Sequence, residues 1–591
     1  MLKVLLSNFL LKKRIGLILF QMEKLTVIDF FCGAGGFSEG FRQKGFKIIQ
    51  GYDNWQPAID TYNHNFGTKS AVKDLLDFKE SIEEINLIPD TDIIIGSPPC
   101  VSFSSSNISG KADKESGITL TKIFLRIVAV KKFKKGSKLK AWYMENVPNS
   151  RNYLADYYTF NDLGLGEWAK SNNIGANKKA IILKGNQPLI NSADYGSYQS
   201  RKRVISGEII KRGKLVVPNP SHSVNNDKNL LPWNTLGKLL RDIPKPNSKN
   251  SSRSIVDPIY NSIVLNLNQL SDQFYDSGLY KSEWRQSREH KINHYCMGKM
   301  SFPENRNKPS RTITATKSGT SREALIYKSE YSRTGNGEYR SPTVREAASI
   351  MGFPFTYQFL GTPNSKWRLV GNAVCPSVSR AFASELLIQF GESNNALLEL
   401  VLIPNLEGVQ DLNDFKEKSF NKQPKRTRNS RFRRHPIKAG NLTVTLSNFD
   451  IEGNSKADGK WYTSIQYGTG LGYGNQVIRD GFYKKIEPLI INEFEGAEFI
   501  KIMNNGFGEK IGSSNELQKK YELQVSNDSI LEPTELIEEV ARILNQIEFK
   551  NTVFEQYGTV IFKHKKRVPV KQLFALYAIN KISSTANNSK N

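Results

Sequence analysis

Residues 25–36 read LTVIDFFCGAGG, and this stretch decides the fold. Leu25 to Phe31 is an apolar, β-branched run, Gly33, Gly35 and Gly36 punctuate it, and helical spacing resumes over Phe37 to Phe41. That order predicts a strand, a tight turn and a helix. Working outward, Lys47 to Tyr52 is a second strand ending in Asp53, Asp92 to Ile95 a third ending in GSPPC, and Ala141 to Met144 a fourth ending in ENVP. Strands that alternate with helical stretches and close on polar, Gly or Pro residues predict an α/β fold. Its core is a doubly wound, Rossmann-like sheet whose ligands gather at the carboxyl ends of the strands.

Beyond Arg203 the pattern loosens into Asn, Ser, Lys and Pro, and regular structure returns with SPTVREAASIMGF (341–353) and VSRAFASELLIQF (378–390). The predicted organisation is an N-terminal extension over 1–22, with Met22 the alternative start to Met1, and a catalytic domain over 23–206. A small inserted domain covers 207–340, and 341–395 completes the catalytic domain. A basic linker follows over 396–440, then a C-terminal α+β domain over 441–591, where LTVTL and ELIEEVARILNQI mark a strand and a helix.

The chain of 591 residues carries 83 Lys and Arg against 57 Asp and Glu, a formal charge of +26. A field of that sign suits a polyanion, and nucleic acid is the leading partner. The four cysteines, Cys32, Cys100, Cys296 and Cys375, have no metal-ligand spacing and form no disulfide framework, so no metal is expected and a reducing cytoplasm fits. Lys12, Lys13 and Arg14 split the apolar start of the chain, which argues against a membrane span.

Several residues carry chemistry. The FCGAGG turn allows close backbone approach, and Asp53, about twenty residues on, can accept hydrogen bonds from a ribose. The spacing departs from a dinucleotide fingerprint, so these residues alone indicate a nucleotide-like cofactor or a plain glycine turn. Asp74 is placed to meet an adenine amino group. Cys100 follows a strand and a stiffening Pro-Pro pair, a placement that exposes and activates a thiol. Glu145 ends a strand of the same sheet and can converge on it. Gln199, Arg201 and Arg203 alternate in QSRKR, which on a strand directs all three to one face and Lys202 away.

In this order the segments resemble the C5-cytosine DNA methyltransferase family, over roughly residues 24–393. DFFCGAGGFSEGF resembles its cofactor loop, GYDNW its second-strand acid, DLLDF its third motif and GSPPCVSFS its nucleophile loop. ENVP, QSRKR, RTITAT (311–316) and RLVGNAVCPSVSRAFA (368–383) resemble its later motifs. The resemblance implies S-adenosyl-L-methionine held by Phe31, Gly33, Gly35, Asp53, Asn54, Asp74, Pro98, Leu120 and Asn372. It implies Cys100 as nucleophile, Glu145 and Arg201 on the base, and Arg203 steadying the loop. It also implies a double-stranded DNA substrate read by 207–310, where Trp233, Tyr275, Tyr280, Trp284, Arg285, Arg288 and His290 can stack or fork onto base edges. A restriction-modification role follows, with a cognate endonuclease acting separately, and the enzyme is expected as a cytoplasmic monomer. Val101 departs from the polar glutamine usual after the nucleophile. The rival readings are a tRNA cytosine methyltransferase on the same fold and a decayed methyltransferase that acts as a DNA-binding regulator. In the tail, Asp458-Gly459-Lys460 resembles a nuclease metal element but lacks an upstream acidic partner. An accessory DNA-binding or protein-contact role fits the tail better.

Overall fold

The structure is a computed structural model that describes residues 24–99, 114–225, 229–247, 254–266, 270, 272–293, 298–392, 434–439, 442–448, 459–467, 475–523, 529–555 and 567–589. The expectations for 1–22, Cys100, Val101, Cys296, Asp458 and most of the basic stretch lie outside these residues. The chain divides into two compact units, Met1–Lys418 and Ser419–Asn591.

In the first unit the sheet is made of β1 (Thr26–Phe30), β2 (Lys47–Tyr52), β3 (Ile93–Gly96), β4 (Ala141–Asn146), β5 (Leu189–Asn191) and β6 (Lys202–Ile209). Their order is β2-β1-β3-β4-β6-β5; the first four run parallel, and β6 is antiparallel to both of its neighbours, β4 and β5. β1 is buried from Val27 to Phe30 because both faces of the sheet are covered. Alternate residues feed opposite cores: Val27, Ile93, Ala141 and Tyr143 one, Ile28, Phe30, Ile94, Trp142 and Met144 the other. The first core is closed by α1 (Gly36–Arg42) and α2 (Gln56–Phe66), the second by α3 (Lys114–Phe133).

The insert holds little regular structure: a short parallel pair of His222–Ser223 with Leu231–Pro232, a short helix Leu236–Asp242, a hairpin of Ser254–Val256 with Val264–Asn266, one longer helix, α4 (Lys281–Ile292), and a short pair of Tyr327–Lys328 with Tyr339–Arg340. Its apolar clusters are small, around Leu265 and around Trp284. Buried ion pairs supplement them, with Lys291 on Glu304 at 2.9 Å and Arg340 on Glu346 at 2.7 Å. The chain then returns through α5 (Val344–Met351), α6 (Pro363–Asn372) and α7 (Pro376–Phe390), and these three complete the first core. α7 lies directly on α1, where a Cβ at Gly36 would stand 2.2 Å from the Val374 carbonyl oxygen, so only glycine permits that approach.

The second unit is an antiparallel sheet in the order β7 (Arg434–Ala439), β8 (Leu442–Ser447), β9 (Tyr462–Tyr467), β10 (Asn475–Ile478), with α8 (Tyr483–Ile491), α9 (Gly496–Asn504), α10 (Pro533–Gln546) and α11 (Val570–Asn588). LTVTL lies in β8 and most of ELIEEVARILNQI in α10, as predicted. The basic linker expected to reach residue 440 is corrected at its end: 434–439 is a strand, because His435 and Ile437 point into the core while Pro436 and Lys438 face out. The buried helix α11 is the centre of this unit, and Phe574 packs against Phe499 and Phe549 at ring-centroid distances of 4.8 and 5.2 Å. Truncating Phe574 to alanine should destabilise the unit by about 3–5 kcal/mol. Hydrogen exchange of α11 amides would then quicken about a hundredfold or more, whereas unchanged exchange would deny α11 its central place.

Candidate active site

β1 delivers the chain into a turn whose backbone is left-handed at Phe31 (φ 53°), Gly33 (φ 51°) and Gly35 (φ 81°). The turn is held from the neighbouring strand: Asp53, one residue past β2, accepts the Gly33 N–H at 2.9 Å and the Trp55 N–H at 3.0 Å. Burial pushes the Asp53 carboxyl up, while those two backbone donors and Arg368 pull it down. From the other side the Ser97 hydroxyl, just past β3, donates to the Phe31 carbonyl at 3.1 Å, which sets the buried Pro98 beside the turn.

The remaining cofactor candidates gather at the same strand ends. Asn54 is exposed next to Asp53. The Lys73 N–H donates to the Asp53 carbonyl at 3.0 Å, which brings the adjoining Asp74 to this edge, where it is exposed and caps the short helix Leu75–Phe78. Leu120 of α3 and Phe31 are half-buried against one apolar cluster with Tyr52, Leu75 and Phe78. Arg368 lies 4.6 Å over the Trp55 ring and ties α6 to the site, and Asn372 is exposed at the end of that helix. A Cβ added at Gly33 would meet nothing within 4 Å, so open space lies above the turn. Exposed Asn54 and Asp74, with half-buried Phe31 and Leu120, make a mixed polar and apolar lining that fits the nucleoside portion of a cofactor.

Glu145 stands at the end of β4, paired in register with Ile205 of β6, and is 7 % exposed. Arg203 Nε lies 3.0 Å from its Oε1. Burial pushes the Glu145 carboxyl up, against the pull of Arg203 and then Arg201. The strand predicted through QSRKR begins only at Lys202, yet the alternation holds: Arg201 and Arg203 turn inward and Lys202 is exposed. The two arginines nonetheless differ. Arg201 is 4 % exposed and donates to the Ile313 carbonyl at 2.9 Å and the Gly371 carbonyl at 3.1 Å, whereas the Arg203 side chain is 17 % exposed and is the one paired with Glu145. Gln199 accepts the Ile313 N–H at 3.1 Å, fixing the same return segment.

Cys100 lies outside the described residues, but the chain leading to it is placed. Pro99 is exposed after Pro98, and the Asn146 side-chain amide lies 3.5 Å from the Pro98 carbonyl, so the chain leading to Cys100 lies beside the end of β4 that carries Glu145.

Within 207–310 the aromatic candidates are mostly committed to packing. Trp284 and Tyr280 are 7 % exposed, Trp233 donates to Asp194 at 2.9 Å, and the Tyr275 hydroxyl accepts the Val344 N–H at 3.0 Å. Arg285, Arg288 and His290 stand exposed on α4. Sequence reading missed Asn146, Arg368 and Asp29; for Asp29 the available signal was an acid inside an apolar strand.

Asp29 is fully buried behind the turn, its Oδ2 receiving the Ser38 hydroxyl at 2.7 Å, and burial lifts its carboxyl from 3.8 to about 8. The folded chain therefore keeps a proton that the unfolded chain releases. Stability tied to this group is full below about pH 4 and is lost as pH rises toward about 8. Asp29→Asn should flatten the fall in denaturation midpoint over that interval; a variant with the same slope as the parent would exclude Asp29 as the group.

The sequence pattern of a family described as C-5 cytosine-specific DNA methylase matches residues 25–387. Over 369 residues the chain is 27% identical to Type II methyltransferase M1.HphI of Haemophilus parahaemolyticus, covering 61% of this chain and 87% of that protein. It is 27% identical over 403 residues to Type II methyltransferase M.NgoFVII of Neisseria gonorrhoeae, 65% of this chain and 92% of that one. It is 41% identical over 129 residues to Type II methyltransferase M.HgiGI of Herpetosiphon aurantiacus, 22% of this chain and 94% of that one.

Proposed function

The chain belongs to the C-5 cytosine-specific DNA methylase family, and on that premise we propose that it methylates carbon 5 of cytosine within a specific duplex sequence, through a covalent Cys100 adduct on a flipped base. It is a DNA (cytosine-5-)-methyltransferase, and its relatives place it with type II restriction-modification enzymes. A cognate endonuclease acts separately, the protein works as a cytoplasmic monomer, and 207–310 reads the sequence. Among the described residues no helix is long and apolar enough to cross a membrane.

The observation that carries the reading is the buried Glu145–Arg203 pair at the strand ends shared with the cofactor turn. Cytosine carbon 5 is too weak a nucleophile to attack a methyl donor directly. Addition of the Cys100 thiolate to carbon 6 pushes electron density onto carbon 5 and ring nitrogen 3. Glu145, whose carboxyl burial already favours protonation, meets that nitrogen and holds the proton there. S-adenosyl-L-methionine, when bound, supplies the methyl group as an electrophile. Phe31, Gly33, Gly35, Asp53, Asn54, Asp74, Pro98, Leu120 and Asn372 are the residues that would hold it. Loss of the carbon 5 proton then expels the Cys100 thiolate and restores the ring.

Arg201 is expected from sequence on the ring carbonyl, but the geometry favours Arg203 for that role. Arg201 is committed to two backbone carbonyls and serves to hold the return segments, while Arg203 is the more exposed and stands on Glu145. Carbon 6 is stacked inside a duplex, so the base must leave the helix at a cost of a few kcal/mol.

Bisulfite-type sequencing of plasmid from cells expressing the chain should find methylcytosine at one repeated motif, and none with Cys100→Ser, which still binds DNA. Methylation by Cys100→Ser would sink the covalent route, and unmodified DNA from well-expressed parent would move the substrate to RNA.

Arg203→Ala should lower turnover by about 10²–10³ with the fold retained. Arg201→Ala should destabilise the first unit by about 2–4 kcal/mol through the carbonyls it leaves bare. The reverse pattern would return the base contact to Arg201. Exchanging 207–310 for a relative's segment should change the methylated motif; an unaltered motif would move recognition elsewhere in the chain.

A further inference from the structure

The carboxyl ends of β1 to β4 carry the site, and the opposite ends of the same strands carry a different chemistry. Two tight turns meet there. Residues 134–140 (KKGSKLK) lead from α3 into β4, and 210–214 (IKRGK) follow β6. They are joined because β6 pairs with β4 out to Ile209 and Ala141, and the Ile210 N–H then donates to the Lys140 carbonyl at 2.8 Å. Gly136 (φ 71°) and Gly213 (φ 64°) make the turns, and a Cβ at either would meet nothing within 4 Å, so this surface is open.

The acids of the region are already taken. Asp90 holds Lys131 at 3.0 Å and also Lys134, Asp92 holds Lys140 at 2.9 Å, and Glu208 holds Lys132 at 2.7 Å. Lys135, Lys138, Lys211, Arg212 and Lys214 are exposed and have no ion pair among the described residues. Five like charges on two joined turns repel one another and are compensated best by a polyanion. Between them Leu139 is buried and Gly136, Ser137 and Gly213 present no apolar face, so the patch lacks the apolar centre of a protein interface and matches a phosphate backbone.

The patch stands apart from the chemistry. Glu145 lies five residue steps along β4 from Lys140, about 16 Å, and the two ends face opposite ways. We propose that these five cations form a second DNA-backbone site, which holds a duplex segment other than the one presenting the target cytosine. The inference rests on the assignment of duplex DNA as substrate. Such a site keeps the enzyme on long DNA while the catalytic face samples it, since phosphate contacts of this kind carry no sequence information.

The test is the full chain with Lys135, Lys138, Lys211, Arg212 and Lys214 all changed to alanine, beside a control with arginine at the four lysine positions. Methylation of a short duplex that covers only the catalytic face should be unchanged in both. Binding of plasmid should weaken in the alanine variant by at least about tenfold at low salt, the loss shrinking as salt rises, and its slope of log affinity against log salt should become shallower by about 4.5. The arginine control should bind plasmid as the parent does. An unaltered slope, an equal loss on short duplex in a variant that unfolds like the parent, or displacement from the patch by polyglutamate but not by DNA, would each overturn the proposal. Because binding is read without turnover, a chain that holds plasmid through these residues yet methylates no DNA would leave this site standing and remove the assignment of substrate.

Discussion

Arg201 holds together parts of the chain that are far apart in sequence. Its guanidinium is buried, donates to the carbonyls of Ile313 and Gly371, and so ties the end of the first sheet to segments 112 and 170 residues further on. A charge taken out of water is tolerated only where fixed partners replace its hydration. Here the partners are main-chain carbonyls, so the two return segments are held in place wherever the arginine is satisfied. The approach at that point is close: a Cβ at Gly371 would stand 2.5 Å from the Thr314 carbonyl carbon, and glycine is required. Through Gly371 the same tie seats α6, and α6 carries Arg368 onto Trp55 beside the cofactor turn. One buried cation thus links the strand ends around Glu145 to the turn around Gly33.

Much of this architecture was legible because its causes are local. An apolar β-branched run followed by glycines is a strand and a turn in almost any context, and β1, β2, β3 and β4 stand where their runs predicted. The acids and glycines at their ends were legible for the same reason, since a doubly wound sheet leaves its carboxyl ends for ligands. The division of labour between Arg201 and Arg203 was not legible. Alternation says that both face one way; which is buried depends on Ile313 and Gly371, and no pattern within QSRKR contains them. The same holds for Trp284 and Tyr280, whose aromatic chemistry suits base stacking but which the insert uses for its small core. A region with so few apolar residues buries its large rings first and leaves Arg285 and Arg288 outside.

The second unit shows the limit from another direction. Its periodicity marks β8 and α10, but β7 hides at the end of a stretch rich in arginine, where only His435 and Ile437 alternate inward. Composition argued for a linker there, and edge pairing with β8 overrode it. α11 carries Gln572, Asn580, Ser583 and Ser584 among its apolar residues, and all four are buried. They are buried because each has a partner: Gln572 donates to the carbonyls of Ile437 and Leu442, Asn580 to that of Arg479, Ser583 meets Thr463, and Ser584 accepts the Gly481 N–H. Polar groups satisfied across a sheet cannot be distinguished from solvated ones until the sheet exists.

Two carboxyls of the first unit are raised by the same force and put to different use. Asp29 sits behind the turn against Ser38 with Asp53 nearby, and its elevation reflects burial with no cation set against it. Glu145 is also buried and also raised, but there Arg203 and then Arg201 oppose the effect of burial. An acid fixed as protonated can fasten a fold but cannot exchange its proton in each turnover. One balanced between burial and a neighbouring guanidinium can gain or release a proton when the charge beside it changes. Arg203 therefore bears on the protonation of Glu145 as well as on its position. Opposing burial in this way is what the proposed reaction asks of a neighbour to a group that must hold a proton at ring nitrogen 3 and then let the base go.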